Sequence, residues 1–180
     1  MSVDRDQYVF AWLEELANEQ EQIIESNLGA KYKLMLLMTY IDIFSQVWDM
    51  FSVVNETKQR DRFKNWIDAF LIDSLDESLT SDEIYNIRNS LLHFAALPNV
   101  EKPIIISEKP KSEVSANYPD VKIGNASFLV PSELHQKFVV AVIDSLDALI
   151  NLEVSDPNIF SNGMNKLYKK LSSESAFAIH

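Results

Sequence analysis

Two side chains with complementary chemistry lie close together in one segment, Ile84-Tyr-Asn-Ile-Arg-Asn-Ser-Leu-Leu-His-Phe94. Arg88 offers a planar fork of donors suited to an anion, and His93 offers a proton carrier that works near neutral pH. On a helix advancing about 100° per residue, Ile84, Ile87 and Leu91 share one apolar arc. Arg88 falls inside that arc, whereas Asn86, Asn89, Ser90 and His93 take the opposite, polar arc. Asn89 and His93 are four residues apart and share a face. Arg88 and His93 are about 140° apart around the axis and do not simply point the same way.

An arginine among apolar neighbours needs a partner, because an unpaired buried guanidinium is very costly. One reading gives Arg88 a structural ion pair with an acid of the second helix, Asp42 or Asp49. Another lets it reach the surface along its aliphatic stem. A histidine on a polar helix face is, on periodicity alone, solvated.

Other chemistry is largely excluded. The 180 residues contain no cysteine, which removes disulfides, thiolate metal sites and cysteine nucleophiles. Three glycines, Gly29, Gly124 and Gly163, are too few and too scattered for a P-loop or a dinucleotide-binding turn. The histidines His93, His135 and His180 are likewise too dispersed for a zinc site, so no metal or other cofactor is expected. No Gly-x-Ser-x-Gly elbow and no Glu-x-x-His pair occurs. The pairs Glu15/Glu19 and Glu21/Glu25 read as a solvated face. His135 reads as a packing residue.

The elements that must hold Arg88 and His93 follow from pattern and punctuation. A helix opens at Asp4 or Asp6 and runs to about Leu28, with Gly29 as the residue after its end. A second, from about Ala30 to Val54, is apolar on most sides and should sit at the centre. A third covers about Asp61 to Leu75, with Phe63, Trp66, Ile67, Phe70 and Leu71 on one stripe. Thr80 or Ser81 caps the fourth, which ends near Pro98. The period then changes: Pro103-Ile-Ile-Ile-Ser107 and Val121 to Val130 read as two strands joined by a long polar tip. Pro131-Ser132 opens a long amphipathic helix to about Leu152, and a short helix near Met164–Leu171 closes the chain. The expectation is one mainly α domain over residues 1–180, a bundle of four or five helices with a two-stranded β-ribbon inserted at about 103–130.

Charge bears on partners. Sixteen basic against 27 acidic residues give −11, which disfavours nucleic acid at long range and confines any contact to local patches. Residues 1–28 hold seven acids and only Arg5, a net of −6. Lys58, Arg60, Arg62 and Lys64 against Asp61 form a local +3. The apolar run Leu34 to Phe51 is interrupted by Asp42 and Asp49 and reads as a core helix, not a membrane span. The acidic start, MSVDRDQY, resembles neither a signal nor a transit peptide, and a cytoplasmic protein is expected.

Arg88-Asn89-Ser90-Leu91-Leu92-His93 resembles the Arg-x4–6-His motif of HEPN domains, including the polar residue after the arginine. The helix order, the Arg60 to Trp66 segment and the downstream strand insertion, a β-hairpin in bacterial members, extend the resemblance over most of the chain. The resemblance implies a homodimer in which the motif helices meet, and metal-independent, toxin-like RNA cleavage. His93 would take a proton from the ribose 2′-OH, and Arg88 would hold the attacked phosphate. Asn89 would orient the histidine or hold substrate. The products would be a 2′,3′-cyclic phosphate and a 5′-OH. Lys58, Arg60, Arg62 and Lys64 are the RNA-contact candidates, and an antitoxin or nucleotidyltransferase is the kind of partner implied. Some members are non-catalytic binding or regulatory modules of defence or toxin–antitoxin systems, so the resemblance leaves both readings open.

Overall fold

The structure, a computed structural model, describes residues 4–52, 58–75, 79–94, 103–117 and 126–175. In chain order these form α1 (Arg5–Glu25), α2 (Ala30–Met50), α3 (Gln59–Phe70), a 3-10 turn (Ile72–Ser74) and α4 (Ser81–Phe94). They continue with β1 (Ile104–Ile106), α5 (Lys111–Asn117), β2 (Ser127–Leu129), α6 (Pro131–Ser155) and α7 (Pro157–Ser175). The molecule is thus mainly helical with a small two-stranded element between α4 and α6, the class its periodicity predicts.

An element apolar on most sides must be surrounded, and α2 is. It packs against α1, α3, α4, α6 and α7, and Leu34, Leu37, Met38 and Ile41 on it are fully buried. Phe63 and Trp66 of α3 and Phe138 of α6 complete the middle of the core. The Phe138 ring lies between Phe44, at 5.6 Å, and Trp66, at 5.8 Å, both at tilted or edge-on angles that favour aromatic contact.

Helix ends depart from expectation where a side chain supplies the missing hydrogen bond. Asp4 caps α1 by accepting from the Asp6 amide. Gly29 is not the residue that ends α1: the Ser26 hydroxyl donates to the Ile23 carbonyl at 2.6 Å, so α1 stops before it and needs no left-handed residue. Gly29 instead precedes α2, with φ −67°. Helix α7 is longer than the predicted Met164–Leu171. Asp156 accepts from the Ile159 amide at 3.2 Å, and Pro157 takes the first helical position, where a missing N–H is harmless. Gly163 sits inside α7 because a Cβ there would run into the Phe51 ring, so only glycine lets α7 approach the end of α2.

The two strands do pair, but not as the expected hairpin. They run parallel, with Ile104 opposite Ser127, Ile105 opposite Phe128 and Ile106 opposite Leu129. Parallel strands need a crossover of about a dozen residues or more. The long stretch read as a polar tip is that crossover, and it carries α5. Among the described residues of the second run, strand character covers Ser127–Leu129; residues 121–125 of that expectation, and 95–98 at the predicted end of α4, lie outside the described residues.

Candidate functional site

The motif rides on α4, and α4 begins with a reciprocal cap. Thr80 Oγ1 accepts from the Glu83 amide at 3.2 Å, while Glu83 Oε2 accepts from the Thr80 amide at 2.9 Å. This satisfies two amides that the helix leaves without partners. Thr80→Ala should therefore cost about 1 kcal/mol, read as a lower urea midpoint with an unchanged slope.

Ile84, Ile87 and Leu91 are buried, which fixes the face that α4 turns to α2 and α3. Arg88 lies within that face, 7% exposed. Of the two structural readings, the ion pair is the one observed. Nη2 donates to Asp42 Oδ2 at 2.7 Å, and Nη1 donates to Asn89 Oδ1 at 2.8 Å. Asp42 Oδ2 also accepts from Gln59 Nε2 at 3.0 Å. One carboxylate on α2 thus gathers α3 and α4. Arg88 Nε and Asp42 Oδ1 are buried without hydrogen-bond partners among the described residues. Asp49, the other acid considered, lies 4.0 Å from Arg62 Nη1 instead.

Asn89 is therefore drawn toward Arg88 through its side-chain oxygen. His93 stands in the last turn of α4 and is exposed. The structure brings Arg88, Asn89, Asp42 and Gln59 together and sets His93 on the solvent side of the same helix.

The basic segment is largely neutralised. Asp82, in the first turn of α4, accepts from Arg60 Nη2 at 2.6 Å and from Lys64 Nζ at 2.8 Å. These two cations, Arg60 foremost, hold the Asp82 carboxyl below its usual range. The Arg60 guanidinium also lies 5.9 Å from the centre of the Tyr85 ring. Asp82 and His93 are eleven residues apart on α4, about 16 Å along the axis. The cations paired with Asp82 thus sit a helix length away from the histidine. Lys58 precedes α3 and is exposed.

Sequence reasoning missed Gln59 and Asp82. Asp82 carries a signal, because an acid in the first turn of a helix favours its dipole, but its pairing across to α3 depends on the packing angle. His135 is half-buried, and its Nε2 is buried without a partner among the described residues. Burial lowers its pKa, opposed by the charge of Glu21.

Among the described residues no group of three or more His, Asp or Glu side chains could hold a metal ion. No described helix is long and apolar enough to cross a membrane. No family model, curated protein or solved structure matches this chain.

Proposed function

We propose that the protein is a HEPN-like homodimeric binding module. In this reading Arg88 fastens α4 to α2, and the polar arc of α4, with Asn89 and His93, is the recognition surface where two subunits meet. One observation carries it: the Arg88 guanidinium commits both terminal nitrogens inside its own chain, to Asp42 and to Asn89. A guanidinium so held fixes a helix well and is poorly placed to clamp a phosphate.

A second reading, a metal-independent endoribonuclease, is favoured by the exposure of His93 beside Asn89. There His93 accepts the 2′-OH proton, the 2′-oxygen bonds to phosphorus, and the 5′-oxygen leaves and is protonated. The charge on the phosphate would then be met by Arg88 or by a cation of the second subunit.

The two readings separate on mixed RNA incubated in EDTA with the wild type and with His93→Ala. The binding module predicts intact RNA in both. Cleavage that survives EDTA and disappears in His93→Ala would establish the ribonuclease instead. A monomer in sedimentation at tens of micromolar would overturn the dimer on which both rest.

A further inference from the structure

Helix α6 carries an apolar stripe that the bundle does not use. Val140, Ile143, Ile150 and Val154 are 57%, 53%, 53% and 83% exposed. With Asp147 between them their spacing is three, four, three, four, the seam of a helix that packs against another helix. On α1, Phe10 is 51% exposed. Phe10 and Ile150 flank a cavity of about 110 Å³ floored by Val47, Phe51, Leu146 and Phe160. Small-molecule sites usually need about 300 Å³ or more. A cavity of this size suits one or two anchoring side chains, as in a groove that takes an amphipathic helix.

Charge identifies the occupant. The exposed acids Asp144, Asp147 and Glu153 lie along α6, and Glu14 lies one turn after Phe10 on α1. The sole lysine of α6, Lys137, is at its start and half-buried. Lys166 and Lys170 of α7 turn toward α2, where they donate to the Met50 carbonyl at 3.4 Å and to Gln46 Oε1 at 2.8 Å, respectively. A second copy of this chain fits poorly, because twofold pairing along the whole stripe sets Asp147 against Asp147. We infer that the groove between α1, α6 and α7 docks a basic amphipathic helix of another protein. Apolar residues of that helix would fill the cavity, and its Lys or Arg residues would meet Asp147 and Glu14.

The test uses a labelled 21-residue synthetic helix with leucines on one face and lysines flanking them, and a second peptide with glutamates in place of the lysines. Anisotropy should show micromolar binding of the lysine peptide and at least tenfold weaker binding of the glutamate peptide. The double variant Phe10→Ser, Ile150→Ser removes exposed side chains and should weaken the lysine peptide at least tenfold while melting near the wild type. Asp147→Lys, which needs no change in packing, should shift preference toward the glutamate peptide. Equal affinity for both peptides, undiminished binding by the double variant, or no binding at millimolar peptide would overturn the proposal. So would a homodimer that the double variant dissociates, which would make a second copy the occupant.

Discussion

Arg88→Ala should lower the thermal midpoint by on the order of 10 °C, corresponding to about 3 kcal/mol. The reason lies in what remains. Asp42 would keep a buried carboxylate on α2, with only the Gln59 amide left of its two donors. Orphaning one partner of a buried ion pair costs about 3–5 kcal/mol, and the retained Gln59 contact argues for the lower end. Arg88→Lys should fall between, because an ammonium on a shorter reach cannot bond Asp42 and Asn89 together. Arg88→Met with Asp42→Leu should recover much of the loss, since no charge is then left buried. Thermal melts of the four proteins check this. Near-normal melting of Arg88→Ala would show that the pair holds nothing together and would return the arginine to a purely functional role.

Phe138→Ala should destabilise by about 3–5 kcal/mol, a fifth or more of the stability of an ordinary domain. Phe138 is fully buried and touches Phe44 of α2 and Trp66 of α3, so one ring joins three helices. Its loss leaves a void between elements that are fixed by other contacts and cannot close on it. Phe138→Leu, which keeps much of the volume, should cost less than about 1.5 kcal/mol. Urea midpoints of both variants give the comparison, and equal losses would mean that ring contacts rather than volume dominate.

How much of this was legible differs from element to element. The central place of α2 followed from its lack of a polar face, whereas the position of Arg88 between Ile84, Ile87 and Leu91 left a buried ion pair and a reach to the surface both open. The identity of Asp42 as partner was one of two acids on the wheel, because sequence spacing does not give the register of one helix against another. Strand direction was not legible at all. Two β-branched runs and a polar connection are compatible with a hairpin or a crossover, and only the packing decides. The length of α7 was partly written in Asp156-Pro157, but Gly163 interrupts the helical pattern. What excuses that glycine, the Phe51 ring, comes from a distant part of the chain. The exposed stripe of α6 was hidden for the opposite reason: a helix apolar on two faces does not announce which of them the fold will cover.

The parallel strand pair has a consequence for how the chain could vary in length. Twenty residues, 107–126, connect Ile106 to Ser127. Closing a connection of that length rather than a two-residue turn costs about 2 kcal/mol more in chain entropy. A pair of three-residue strands cannot offset that alone, so it depends on Leu129 and Val130, which are buried, and on Ile104 and Ile106, which pack on the core. Once those anchors are set, the entropy grows only logarithmically, and doubling the connection costs about 0.6 kcal/mol. The crossover is therefore where an insertion weighs least on this fold, whereas a single added residue inside α4 would turn every later side chain, His93 included, about 100° around the helix.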